Sequence, residues 1–437
     1  MAEELDPRDV LTGEDLKDAW VLFAPEDRLL GFSSLPRDEA EDFFLGLPAR
    51  DQEELVLSLP PGQRRSWMRM LPPDDAADLV QEARPEEREG LLALLDDVTR
   101  KEVTVLLAYA EDEAGGLMSP RFARVRPDMT VDEALSYLRR QARDRVESIY
   151  YAYALDEQQR LVGVATIREL FTAPPDRRVR EVMHTDLVSV GDDMDQEAVS
   201  RVFAEHDLSA IPVVDREGRM KGIVTVDDIV DVVEEEATED IQKFGGMQAL
   251  DAPYLEIGLL EMVRKRGPWL AVLLLGEMLT ATAMGFFEDE IAEAVVLAVF
   301  LPLIISSGGN SGSQASTLVV RAMALGQVRL RDWWRVMRRE VATGLVLGAI
   351  LGMIGLVRIL AWHAIAGVYG DRALGVAITV GTSLVGVVLL GTLAGSLLPF
   401  LLRRLGFDPA SASAPFVATL VDVLGVLLYF TAASLAL

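Results

Sequence analysis

Residues 264–287, RKRGPWLAVLLLGEMLTATAMGFF, divide the chain in two. Three basic residues, Arg264, Lys265 and Arg266, run straight into an apolar stretch long enough to cross a bilayer, which takes about 20 residues. Beyond this point the sequence stays apolar to its end. Five spans are predicted: Trp269–Phe287, a second from near Ile291 to Leu325, Val341–Trp362, Ala373–Leu402 and Ser411–Leu437. The second is read as broken. It starts near Ile291, is interrupted at SSGGNSGS after Pro302, and resumes through Gln314–Leu325. Such a polar, Gly-rich segment at membrane depth must face protein or a water-filled path rather than lipid.

Orientation follows from the basic loops, which remain on the cytoplasmic side. Arg264–Arg266 precede the first span, Arg321, Arg329, Arg331, Arg335, Arg338 and Arg339 lie between the second and third, and Arg403–Arg404 lie between the fourth and fifth. All fall on one side if the N-terminus is inside, which places the C-terminus outside. The opposite loops hold Glu288, Asp289, Glu290 and Glu293, and Asp371 with Arg372. The start, MAEELDPRDV, has neither a basic region nor an apolar core of a secretory signal, so the first half is expected in the cytoplasm.

The charge is as unevenly spread as the hydropathy. Residues 1–267 carry 59 acids against 32 Lys and Arg, residues 268–437 carry 10 of each, and the net −27 therefore belongs to the first part. Such a field concentrates cations and repels nucleic acid. With no Cys and three scattered His, thiolate sites are excluded and an imidazole zinc site is not expected, so any metal is held by oxygen. No phosphate loop, nucleophile–base pair or catalytic metal motif is present, and no enzyme is expected.

Up to about residue 117, short amphipathic patterns open on proline, as in LPARDQEELVLSLPPGQRRSWMRMLPPDDAADL, which reads as an all-helical domain. A repeat follows. Met118-Ser119-Pro120, a β-like run, a helix and GVATIREL from Gly163 recur 65 residues on as Met183-His184-Thr185, a similar run and GIVTVDDI from Gly222. Each copy has the pattern of a β-α-β-β-α module, and the pair resembles tandem CBS domains, with IPVVDREGRMKGIVTVDDI the clearest stretch. By that resemblance Thr225 and Asp228 are candidate nucleotide contacts, with ATP the candidate ligand. The domains expected are 1–117 helical, 118–182 and 183–240 CBS, 241–267 a long connecting helix and 268–437 the membrane part.

Three groups of residues carry candidate chemistry. Asp422, about twelve residues into the last span, costs on the order of 3 kcal/mol there unless it meets water, an ion or a partner. Gly308, Gly309, Asn310, Gly312, Ser313 and Gln314 form the polar segment of the second span and read as pore-lining; glycines also serve plain helix packing. Glu277, inside the first span, either lines the same path or pairs with an arginine. In the cytoplasm, DDIVDVVEEEATED, residues 227–240, holds eight acids and no base, and like charges at helical spacing repel until a divalent cation bridges them.

Taken together, EDEAGGLMSP, EEEATEDIQKFGG, PLIISSGGNSGSQASTLVVRA and DPASASAPFVATLVDVLG resemble the MgtE family of bacterial magnesium channels, along the whole chain. The resemblance implies a homodimer in the plasma (inner) membrane, a pore with Asp422 as its carboxylate, and a connecting helix acting as a plug. It also implies closure by cytoplasmic Mg²⁺ at Asp195, Glu197, Asp207, Asp228, Asp231, Glu236, Glu239 and Asp240, with Asp96 and Asp97 as N-domain candidates. Ser313, Ala414 and Glu277 depart from the commoner family pattern. An ion-coupled transporter using Glu277 as a proton relay, and a membrane sensor that does not transport, are the alternatives.

Overall fold

The computed structural model describes residues 12–142, 146, 148–250, 254, 255, 257–288, 295–367, 369 and 373–436. Residues 1–11, Asp289, Glu290, Glu293, Asp371, Arg372 and the expected start of the second span at Ile291 lie outside them. Two compact units meet in sequence between Glu234 and Glu235.

The first unit opens with helices α1 Gly13–Ala19, α2 Pro25–Ser34, α3 Arg37–Leu45, α4 Ala49–Ser58, α5 Pro61–Met68, α6 Pro73–Glu82, α7 Pro85–Leu92, α8 Asp97–Leu106 and α9 Ala114–Leu117. Proline stands in the first turn of α2, α5, α6 and α7, where its missing N–H would have had no partner. Phe32, Phe43, Phe44 and Trp67 are buried together, with ring centroids 4.9 Å apart for Phe32 and Trp67. The repeat follows as β1 Phe122–Val125, α10 Val131–Gln141, β2 Ser148–Leu155, β3 Leu161–Thr166 and α11 Ile167–Thr172, then β4 Val190–Gly191, α12 Gln196–His206, β5 Ala210–Val214 and β6 Met220–Thr225.

The two sheets are built alike. β1 lies parallel to β2 and β2 antiparallel to β3; β4, β5 and β6 repeat this order. The repeated motifs also lock the modules together. Ser119 exchanges backbone hydrogen bonds of 2.7 and 2.9 Å with Ile223 of β6, and His184 exchanges bonds of 2.8 and 3.0 Å with Val164 of β3. The adjoining strand positions leave little room for a side chain, against backbone at Gly222 and against the Met183 side chain at Gly163. A Cβ on Gly163 would fall 2.3 Å from Met183 Sδ, and one on Gly222 would fall 2.6 Å from the Ser119 carbonyl oxygen.

Helix α13, Val226–Phe244, follows β6 directly. It starts well before the connecting helix expected at 241–267 and ends where Gly245 and Gly246 interrupt it; Gly246 has φ +75°. A Cβ on Gly246 would meet Trp269 Nε1 at 2.6 Å, so the chain turns there against the first span instead of running on as helix.

The second unit holds five helices long and apolar enough to cross a membrane: α14 Leu259–Gly285, α15 Val295–Ala324, α16 Trp333–Ala366, α17 Ala373–Arg404 and α18 Ala414–Ala436. The expected break in the second span is overturned. α15 is one continuous helix with Pro302 inside it, because helical bonds satisfy the backbone internally and the glycines are used for packing. A Cβ on Gly391 of α17 would lie 2.3 Å from the Gly308 carbonyl oxygen, and one on Gly395 would lie 2.0 Å from that of Gly312. Gly344, Gly348, Gly352 and Gly355 make a second small-residue stripe, on the face of α16 that is buried against α17.

Candidate functional site

Acidic groups collect at two places, one in each unit. In the first unit the start of α13 is capped from within: Thr225 donates to Asp228 Oδ2 through its backbone N–H (3.0 Å) and hydroxyl (2.6 Å). Asp75 and Asp78, three residues apart on α6, face this turn. Burial, followed by the charges of Asp227 and Asp231, pushes the Asp75 carboxyl up to about 6. Asp78, exposed on the same helix, is raised by partial desolvation and by the charges of Asp75, Asp228, Glu111 and Glu82. Asp228 is raised to about 7, chiefly by burial and then by Asp227 and Asp75, although the Thr225 bonds favour its ionised form. Asp231 is raised by burial and by Glu234 and Asp227.

These carboxyls repel one another, and among the described residues no Lys or Arg is a leading influence on any of the four. The donor set is all hard oxygen, which fits Mg²⁺ or another hard divalent cation. Among the described residues no three acidic or imidazole groups converge tightly enough to hold a bare ion. An ion that keeps most of its water matches that spacing better than a dehydrated one, and Mg²⁺ dehydrates reluctantly.

The other cytoplasmic candidates are placed differently. Asp96 is the N-cap of α8, accepting from the Val98 and Thr99 N–H groups, and Asp97 is solvent-exposed near Arg100 at 3.6 Å. Asp195 caps α12 in the same way, Glu197 pairs with Arg201 at 3.0 Å, and Asp207 closes α12 in the left-handed conformation, φ 51°. None of the five is a leading influence on the α6–α13 carboxyls. Asp75 and Asp78 themselves escape the sequence reading; their only signal is an i, i+3 spacing in PPDDAADL. Glu236, Glu239 and Asp240 lie on the later turns of α13, in the second unit. There Lys243 Nζ lies 2.5 Å from Glu239 and 2.8 Å from Asp408, in the turn between α17 and α18.

Thr225 is buried and its hydroxyl is spent on Asp228. A cleft of about 410 Å³ in the first unit is lined instead by Tyr109, Asp192, Asp215 and Arg219 among others, and neither Thr225 nor Asp228 belongs to it.

In the second unit Asp422 is half-buried on α18, and its carboxyl is within hydrogen-bonding reach of Glu277 on α14. Thr419, one turn earlier on α18, donates to Glu277 Oε1 at 3.4 Å. The helices come this close because residue 276 is glycine: a Cβ there would lie 2.5 Å from Thr419 Cγ2. Of the two readings of Glu277, a place on the path or an arginine pair, the contacts seen are a carboxyl and a hydroxyl. Of the proposed pore-lining residues, Gly308, Gly309 and Gly312 are buried against α17 and α18, and Ser313 Oγ donates to the Ala414 carbonyl at 3.3 Å. Asn310 and Gln314 are exposed one helical turn apart, with Ser306 and Thr317 in line.

Three family models match the chain: an MgtE intracellular N domain over residues 12–112, a CBS domain over 114–176 and 179–235, and an MgtE divalent cation transporter over 301–432. Over its full length the chain is 44% identical to the magnesium transporter MgtE of Thermus thermophilus, covering 94% of that protein. It is 36% identical to the MgtE of Enterococcus faecalis across 76% of this chain and 71% of the other. A crystal structure of the cytosolic domain of the Mg²⁺ channel MgtE in complex with ATP aligns with 51% of this chain and 90% of its own, at 44% identity and a TM-score of 0.48.

Proposed function

This chain belongs to the MgtE family of magnesium transporters, and we propose that it is a multi-pass membrane channel through which Mg²⁺ enters the cell, closed by Mg²⁺ on the cytoplasmic side. The observation that carries the transport reading is the intramembrane pair of Asp422 and Glu277, held together by close approach of α14 and α18. A carboxylate at membrane depth is favourable only with water, an ion or a partner, and a hydrated divalent ion needs few direct protein ligands. The exposed Asn310 and Gln314 extend a polar stripe along α15, which fits a path completed by a second copy.

The gating reading rests on the α6–α13 carboxyls. Without a cation they repel, so an ion bound among Asp75, Asp78, Asp228 and Asp231 favours the arrangement that gathers them. Glu236, Glu239 and Asp240 add further acids on later turns of the same helix. The resting orientation, N-terminus inside and C-terminus outside, follows from the basic loops. ATP at the CBS pair is proposed on the GIVTVDD motif, and contact through Thr225 and Asp228 requires their mutual hydrogen bonds to open.

The test is Mg²⁺ influx into liposomes containing the purified chain, with Mg²⁺ varied on the cytoplasmic face. Wild type should conduct at low internal Mg²⁺ and close at high, and Asp422→Ala should conduct at neither. Influx surviving Asp422→Ala would move the path elsewhere. Influx that demands a counter-gradient of H⁺ or Na⁺ would replace the channel by a coupled transporter, and no influx under any gradient would leave only a sensor.

A further inference from the structure

The turn between α15 and α16 concentrates positive charge in a chain that is otherwise strongly acidic. Residues 321–340 hold six arginines against two acids, within a sequence of net charge −27. Arg329, Arg331, Arg335, Arg338 and Arg339 are all exposed. Asp332 lies 3.7 Å from Arg335, whose side chain is 87% exposed, a geometry worth little in water. Among the described residues Arg331 and Arg338 have no carboxylate within ion-pair distance.

The segment is also firmly seated. Val328 and Val336 pack on Val319, Met323 and Phe400, so the inner side of the turn is pinned to the ends of α15 and α17 while the arginines stay exposed. Trp333 and Trp334, about half exposed, lie among the arginines, with their rings edge to face at 5.5 Å. Tryptophan in such a position marks the boundary between lipid tails and headgroups. Guanidinium forks match phosphate oxygens two by two, where ammonium groups would act only as point charges.

We propose that this arginine–tryptophan turn is a binding surface for anionic phospholipid headgroups of the adjacent leaflet. Charge complementarity selects the partner. The patch is cationic, with four more arginines than acids in residues 321–340, and placed at the end of two membrane-crossing helices, where phospholipid phosphates are the anions present at high density. The inference rests on α14–α18 crossing the membrane, and not on the channel reading.

The experiment is lipid retention by the full chain. The protein is equilibrated in detergent with equal amounts of phosphatidylglycerol and phosphatidylcholine, and bound lipid is counted by native mass spectrometry. Wild type should retain phosphatidylglycerol preferentially, and the preference should fall about five-fold for each of Arg331, Arg335 and Arg338 changed to Gln. It should also weaken steeply as salt is raised. Equal retention of the two lipids, or a preference unchanged in the triple variant, would overturn the proposal. Should the triple variant not stay monodisperse, the wild-type salt series decides, since a salt-insensitive preference has the same adverse meaning. Displacement of the lipid by millimolar inorganic phosphate would reassign the patch to a soluble anion. Absent Mg²⁺ influx with the lipid preference intact would count against transport alone.

Discussion

Replacing Gly395 by alanine puts a methyl group 2.0 Å from the Gly312 carbonyl oxygen and 2.7 Å from its carbon. Both are backbone atoms, so no side-chain rotation relieves the clash. Restoring ordinary contact, about 3.4 Å, requires α15 and α17 to part by more than 1 Å. A gap of that size forfeits a quarter to a half of the dispersion attraction along the seam. Overpacking of this kind costs about 1–3 kcal/mol, or more where backbone must move, and 3 kcal/mol lowers a melting temperature by about 6–12 °C in a unit of this size. Gly309→Ala is the matched control. Its methyl would sit 3.4 Å from Ala418 Cβ, and alanine is the better helix former, so melting should stay level or rise slightly. The assay is thermal melting of both variants in one detergent, followed by fluorescence-detected size exclusion. Gly395→Ala melting like wild type, or Gly309→Ala falling as far, would refute the packing argument. A Gly312→Ala chain that melted normally but passed different ions would return this segment to the role of a filter.

Other outcomes follow from the carboxyl groups. Burial and like charge push Asp75 and Asp228 up to about 6 and 7 and raise Asp78, whereas in the unfolded chain they ionise near pH 4. The folded state therefore binds more protons between about pH 4 and 7, and without divalent ions the melting temperature should fall as pH rises through that window. Millimolar Mg²⁺ should flatten the dependence, and a stability that rises with pH would contradict the cluster. Asp75→Asn with Asp78→Asn, or Asp228→Asn with Glu239→Gln, should raise the internal Mg²⁺ that closes the pore by about tenfold, equivalent to about 1.4 kcal/mol. Unchanged closure in flux measurements would remove these residues from the sensor. Glu277→Gln should leave the fold intact and alter Mg²⁺ conductance, since it removes charge beside Asp422; unaltered conductance would make Glu277 a bystander.

The sequence by itself determined the features that depend on local pattern. Five spans follow from runs of apolar residues, because the bilayer imposes a length that composition alone satisfies. The helical first part was legible in its proline-led turns, and the paired β-α-β-β-α modules in their repeated Met and Gly positions, since each is a short-range signal. Asp422 and Glu277 stood out because a charge in an apolar run is conspicuous wherever it lies. What they touch was not legible. A residue number says nothing about which helix packs opposite, and Glu277 meets Asp422 only because Gly276 lets α14 approach α18. The same limit hid Asp75 and Asp78, ordinary surface acids of α6 until the fold sets them against the start of α13. It also misread SSGGNSGS as a break. Glycine and serine weaken an isolated helix, but against the glycines of α17 they permit a contact so close that tertiary packing overrides the local propensity.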